Sequence, residues 1–238
     1  MLKHSVEWNK KLWNEEAFIP EQGEGWSNQW GNSEYQWYIT ILPRIKKFLP
    51  SHTILEIAPG WGRWTRFLLN NCNTYYGIDI SEDAIKTCQQ RFYFNKNANF
   101  ILNDGKILKN IKENSIDFIF SMDSLVHVGL DGMESYIKEC ARVLSSNGYA
   151  FIHHSNMNKH INEPNPNGRA PNVDYEIIKQ LIQQNNCYTH TQETLTWLQN
   201  ITNDCFTIFG KQHKQYKFWE NTFFNFEIQN SLNISTNY

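Results

Sequence analysis

The sequence predicts an α/β fold in which a mainly parallel sheet is wrapped by helices. Two stretches carry that expectation. The run Ile54 to Ala58 is apolar and β-prone, ends in Gly60 and Gly62, and then changes period, because Trp64, Phe67 and Leu68 recur at helical spacing. A second apolar run, Tyr75-Tyr-Gly-Ile78, ends in Asp79 about twenty residues further on. Strand, tight turn, helix and strand in that order form a crossover unit, whose two strands must lie parallel.

The first fifty residues differ in texture from the rest, carrying Trp8, Trp13, Trp26, Trp30 and Trp37 among polar residues and glycines. They are expected to form a cap, residues 1–50, on a domain of residues 51–238. Tryptophans need something to bury against, so the glycine-punctuated stretch 21–33 is an ordered loop, and Trp26 and Trp30 either form a lid over a ligand or pack. From Ser33 to Leu49 the residues Trp37, Ile41, Ile45 and Leu49 recur every four positions, which predicts a helix ending at Pro50.

At the first strand–helix turn, glycines let a ligand approach the main chain, and the free N–H groups that open the helix point at it. No Lys-Ser or Lys-Thr follows them, which argues against a nucleoside triphosphate. Asp79 stands where a nucleotide-binding unit places the acid that accepts from ribose hydroxyls. Together, Glu56-x-Ala58-x-Gly60-x-Gly62 and Asp79 at a strand end resemble the first two motifs of the class I S-adenosylmethionine-dependent methyltransferases. Ala58 departs from that pattern, which has glycine there, and is tolerable if its φ stays negative. The resemblance implies S-adenosylmethionine as cofactor, with S-adenosylhomocysteine as product. It implies a Rossmann-like seven-stranded sheet of order 3-2-1-4-5-7-6, the last strand antiparallel. It covers residues 50 to about 210, and makes Glu56, Ala58, Gly60, Gly62, Asp79 and the adjacent Ile80 candidate cofactor ligands.

Further along, Ser81-Glu-Asp83 caps a helix whose apolar face is Ala84, Ile85, Cys88 and Phe92. A third strand, Asn99 to Asn103, ends at Asp104-Gly105. The resemblance puts Asp104 and Gly105 against adenine, while the residues alone suit a turn. The fourth strand, Ser115 to Ser121, runs into Met122-Asp123-Ser-Leu-Val-His127, matching the family segment where residues such as Ser121 and Met122 touch the methionine part and face the acceptor. A helix from about Gly132 to Leu144 presents Met133, Tyr136, Ile137 and Cys140 inward. Strand five is Tyr149 to His154. Residues 156–173, rich in asparagine and proline, form a long loop leaving the same sheet edge and are expected to overlie the acceptor. A helix from Tyr175 to Gln184 and strands over 187–193 and 204–209 complete the pattern, and the tail after Trp219 fits no element.

A net charge of −2 provides no field for a nucleic-acid backbone, so a polynucleotide is not the expected partner. No run approaches the roughly 20 apolar residues of a membrane span, and the start lacks a signal-peptide core, so a cytoplasmic protein is expected. The five cysteines are scattered without a C-x-x-C pair, as free buried thiols would be.

Methyl transfer to a hydroxyl needs alignment and a base, for which His127, His153, His154 and Asp123 are the candidates. Because neighbours on a strand point oppositely, at most one of His153 and His154 faces the acceptor. His127 fits equally a core histidine bonded to a carbonyl. A metal site from Asp123, His127, His153 and Asp204 lacks local ligand spacing, so no metal is expected. Arg63, Arg66 and Arg169 could clamp an anionic acceptor. The combination of Gly-Trp-Ser-x-x-Trp-Gly, Asn-Asp-Gly at 103–105, Asp-Ser-Leu-Val-His at 123–127 and His-His-Ser-Asn at 153–156 resembles methyltransferases of bacterial surface glycans. The sequence expectation is therefore O-methylation of a small polar or carbohydrate acceptor in polysaccharide biosynthesis. An N-methyltransferase acting on an amine or peptide is the alternative, a non-catalytic binding module is the third reading, and a homodimer stays open.

Overall fold

The computed structural model describes residues 2–16, 20–197 and 200–236. Its sheet is built from β1 (Ser51–Ile57), β2 (Cys72–Asp79), β3 (Ala98–Leu102), β4 (Ile116–Ser121), β5 (Leu144–Ser155), β6 (Tyr188–Leu195), β7 (Asp204–Gly210) and β8 (Lys217–Asn221). Among the described residues the order is β3-β2-β1-β4-β5-β7-β6-β8. The first five strands pair in parallel, and β7 inserts antiparallel between β5 and β6. The seven-strand order therefore stands, with an eighth strand added parallel to β6. The sequence hides β8 because four of its five residues are exposed, which erases the apolar alternation that marks a strand.

The helices are α1 (Val6–Lys11), α2 (Thr65–Leu69), α3 (Glu82–Arg91), α4 (Leu130–Val143), α5 (Tyr175–Gln184) and α6 (Phe224–Thr236). Side-chain caps start several of them: Ser81 accepts from the Ala84 N–H and Asp174 from the Ile177 N–H. The single helix expected over Ser33 to Leu49 is instead an α turn (Ser33–Tyr35), a wider π segment (Gln36–Ile41), a second α turn (Leu42–Ile45) and a 3-10 turn (Lys46–Phe48). Pro43 has no N–H to give the turn before it, and the widening falls on that turn. The apolar stripe survives, since Trp37, Ile41 and Ile45 are buried.

Strand alternation splits the core between the two faces of the sheet. Leu55, Ile57 and Ile119 pack with α4 and α5 on one side. Ile54, Phe118, Phe120 and Phe151 pack on the other with the Trp-rich segment and Phe224 of α6. Trp37 stacks on Phe67 at 4.7 Å, as its helical position suggested. Trp30, a lid candidate, is fully buried instead: it lies against Trp197 and Phe224, and its Nε1 donates to Thr40 Oγ1 at 3.0 Å. Arg44 ties this layer together by donating to both oxygens of Glu193 at 2.7 and 2.6 Å and to Glu227. Cys88, Cys140, Cys187 and Cys205 are buried free thiols and Cys72 is half-buried. Among the described residues no helix is long and apolar enough to cross a membrane.

Candidate active site

A cleft opens at the carboxyl ends of β1, β2 and β4. In an open α/β sheet this is where ligands bind, because the crossover loops diverge there. The turn after β1 supplies Ala58, Pro59, Gly60 and Trp61, β2 supplies Ile78, Asp79 and Ile80, and the segment after β4 supplies Met122, Asp123, Ser124 and Leu125. Trp13 and Trp26 of the N-terminal segment also line it, in edge-to-face contact at 5.9 Å, as does Tyr136 of α4.

The turn works through its backbone. Gly60 has φ +56°, and a Cβ built on it would meet nothing within 4 Å, so the empty side of the turn is the cleft itself. Its N–H donates to Asp79 Oδ2 at 3.0 Å, while the Ser81 N–H donates to Oδ1 at 2.9 Å. Two backbone donors thus fix the carboxylate at the end of β2. Burial nevertheless raises the Asp79 pKa to about 6, against the lowering by these backbone donors. Ala58 does not keep a negative φ as expected: it sits at +57°, a left-handed strain of about 1–2 kcal/mol for a residue with a Cβ.

Several expected ligands serve the turn from behind rather than line the cleft. Glu56 is buried, accepts from Thr65 Oγ1 at 2.7 Å and Tyr75 Oη at 2.5 Å, and has its pKa raised by burial to about 7. Gly62 is there for packing, since a Cβ would come within 2.5 Å of Phe92. Ser121 donates to the Ile57 carbonyl at 3.0 Å. Asp104 does not line the cleft. Its Oδ1 accepts from the Lys106 and Ile107 N–H groups, both at 2.9 Å, which makes it the turn-former its Asp-Gly context allowed. These donors and Lys109 pull its pKa down to about 2. A Cβ on Gly105 would lie 2.5 Å from Val6, so this glycine makes room for α1. The preceding residue, Asn103, is buried beside Tyr136, and its amide Nδ2 makes no well-formed hydrogen bond.

At the other end, Asp123 sits at φ +60°. Its Oδ2 accepts from Arg63 Nη2 at 3.0 Å and its Oδ1 lies 3.8 Å from Arg169 Nη2. Although burial opposes ionisation, the two guanidinium groups hold its pKa below the ordinary value. Arg63 also donates to Ser27 Oγ at 3.1 Å, next in sequence to the cleft-lining Trp26. Arg169 is buried and bidentate on Asp204, with Nε–Oδ1 at 3.0 Å and Nη2–Oδ2 at 2.9 Å. The loop over 156–173 is therefore pinned, and it contains one 3-10 turn (Met157–His160).

The three histidines are engaged. His154 is buried, with Nδ1 2.9 Å from the Ser155 carbonyl and Nε2 2.7 Å from Thr207 Oγ1, and burial lowers its pKa to about 4. His153 Nδ1 accepts from the Asp123 N–H at 3.2 Å, and Nε2 lies 3.2 Å from Asp204 Oδ2, off the line of a well-directed hydrogen bond. His127 Nδ1 is 3.0 Å from the Gly168 carbonyl, and burial with the Arg169 charge lowers its pKa to about 4. Trp13, Trp61 and Arg63 carry weight at this site that sequence reasoning missed or left as a surface contact. Their signal is only positional, beside the turn or in the cap, and no spacing separates them from packing residues.

The cleft fits an adenosyl group flanked by a charged amino acid. An acid fixed for hydroxyls at the β2 end and an open glycine turn beside it suit the adenosyl part, and the carboxylate–arginine cluster lies beyond them. Among the described residues no group of three or more His, Cys, Asp and Glu could hold a metal ion. Residues 55–152 match the family described as "Methyltransferase domain". A phosphoethanolamine N-methyltransferase of Triticum aestivum is 27% identical over 184 residues, covering 72% of this chain and 35% of that protein. The corresponding enzyme of Plasmodium falciparum is 26% identical over 100 residues, covering 42% and 37%. The chain thus spans about a third of the length of the curated relatives it matches. Among solved structures, an S-adenosylmethionine-dependent methyltransferase from Clostridium acetobutylicum shares the fold with TM-score 0.60 at 13% identity, over 79% of this chain and 92% of that one. Fold, cleft and family match agree: residues 55–152 are similar to the methyltransferase-domain family, on a fold shared with an S-adenosylmethionine-dependent methyltransferase.

Proposed function

We propose that the chain transfers a methyl group from S-adenosylmethionine to the nitrogen of a small amine. The observation that carries this reading is Asp123: it lines the cleft beyond the ribose acid and is kept ionised by Arg63 and Arg169. An ionised carboxylate in a low-dielectric cleft attracts a cationic acceptor and fixes its orientation. S-adenosylmethionine supplies the electrophilic methyl. An amine attacks through its own lone pair once its proton has left, so it needs no strong base at the moment of transfer. A sugar hydroxyl does need one, and the histidines available have their nitrogens engaged or a pKa near 4. Trp13 and Trp26 line the same wall, where Arg63 already lies 5.7 Å over the Trp26 ring, and aromatic rings near a cation favour its binding. The matched relatives, named as N-methyltransferases of phosphoethanolamine, support the same acceptor class. In this reading residues 1–50 act as the cap, with Trp13 and Trp26 excluding water from the cleft.

A screen with labelled methyl donor tests the proposal: ethanolamine, phosphoethanolamine, amino sugars and neutral nucleotide sugars are compared as acceptors. Label is expected on nitrogen only, and label on a hydroxyl of the neutral sugars would reverse the reading.

The ribose end gives a pH prediction. Hydroxyls donate to the ionised form of Asp79, so bound cofactor favours the carboxylate and its binding releases a proton where the free site is protonated. With the Asp79 pKa at about 6, affinity should be level above pH 7 and fall as pH drops through 6, approaching tenfold per unit below it. Calorimetric titration of the cofactor between pH 8 and pH 5 measures this, and a flat profile would remove Asp79 from the ribose.

A further inference from the structure

His153 was a candidate base, yet its surroundings give it a different task. The ring is fully buried, stacked on Trp197 at 4.8 Å and 27° and edge-on to Phe206 at 4.9 Å. The ring is therefore held by close packing against two aromatic neighbours. Its Nδ1 meets the backbone N–H of Asp123, a group that can only donate, so Nδ1 must carry the lone pair and the ring proton sits on Nε2. Nε2 in turn faces Asp204 Oδ2, which can only accept and is itself held by Arg169. Both neighbours select the same tautomer.

We propose that His153 is a positioning residue: its Nδ1 lone pair holds the backbone of Asp123 in the left-handed conformation that presents the Asp123 carboxylate to the acceptor, and Asp204 sets the tautomer that makes this possible. Left-handed backbone is unfavourable for a residue with a Cβ and persists only where its surroundings over-determine it. Here the N–H of Asp123 is gripped from β5 while the carboxylate is gripped by Arg63 and flanked by Arg169. A swing of this backbone would carry the acceptor's counter-charge away from the methyl group. His153 does so without touching either substrate, which explains a histidine sealed in the core at the edge of a cleft. This deepens the amine reading and rests on it for the identity of the acceptor, though not for the tautomer.

Two near-isosteres separate positioning from base catalysis. Asparagine reproduces the Nδ1 position with its Oδ1 and has nothing at Nε2, whereas glutamine reaches the Nε2 position and leaves the Asp123 N–H unmet. His153→Gln should raise the acceptor KM by about tenfold, the cost of one buried donor left unmade. His153→Asn should recover most of that loss, and cofactor affinity should hold in both. Loss of turnover by both variants at unchanged KM would make His153 a base and overturn the proposal, as would equal KM effects. Imidazole ¹⁵N shifts of the wild-type protein provide the check that needs no variant. The proton is expected on Nε2 of His153, and a proton on Nδ1 defeats the positioning role whatever the acceptor is. Failure of every amine to accept label defeats only the amine reading.

Discussion

Gly60→Val should abolish measurable S-adenosylmethionine binding while leaving the protein folded. Gly60 lines the cleft with φ +56°, and the space where its side chain would stand holds no protein atom within 4 Å. Valine places three carbons in that space, where the cofactor must approach the main chain, and its branched Cβ resists the left-handed angle. The strain disturbs the Gly60 N–H that fixes Asp79, so one substitution weakens both the cradle and the ribose acid. The fold tolerates the change because no core atom is displaced. Gly62 is the control, since a Cβ there would come within 2.5 Å of Phe92 and should cost stability first. Calorimetry and a thermal melt on both variants decide the matter, and a folded Gly60→Val protein with wild-type affinity would place the cofactor elsewhere.

Much of this architecture is legible in the sequence because it is encoded locally. The strand–turn–helix at 54–68 and the acid at 79 follow from apolar period, glycine placement and spacing, and they fall at the cleft. Elements whose identity depends on distant partners are not legible in this way. β8 is an exposed edge strand, whose five residues pair with β6 through backbone, joined by a side-chain bond from Asn221 to Glu193. Trp26 and Trp30 share one segment, expected as a loop and found as a 3-10 helix (Pro20–Trp30), yet Trp26 lines the cleft while Trp30 is buried under Trp197 and Phe224 from the other end of the chain. Asp104 and Asn103 are adjacent, and only the fold reveals that the acid closes a turn while the amide is buried beside Tyr136. The histidines mislead for a related reason. A strand end beside a polar loop suggests a base, but whether an imidazole lone pair is free depends on Asp123, Thr207 and Gly168, each far from it in sequence.

Asp123→Asn should lower kcat/KM for a cationic amine by about two to three orders of magnitude, with cofactor affinity nearly unchanged. Truncating one partner of a desolvated charge pair costs about 2–5 kcal/mol, and here the loss is compounded because Arg63 remains. Arg63, stripped of its carboxylate, would then face an ammonium, while Arg169 stays paired with Asp204. Asparagine keeps the size and the backbone N–H to His153, so the effect reports charge rather than shape. The sign of the pH dependence follows from the same pairing. The arginines hold the Asp123 pKa below its ordinary value, and it stays ionised throughout the neutral range. His127, with a pKa of about 4, is likewise neutral there. Neither group titrates between pH 6 and 9, and Asp79 (pKa about 6) and Glu56 (pKa about 7) are ionised by pH 8, so a rate that goes on rising above pH 8 reflects the acceptor's ammonium losing its proton. Asp123→Asn should retain the rise while losing the magnitude. Steady-state kinetics on wild type and variant with a cationic and a neutral acceptor test the assignment. An equal loss on both acceptors would mean that Asp123 holds the cleft together rather than reading the charge of its substrate.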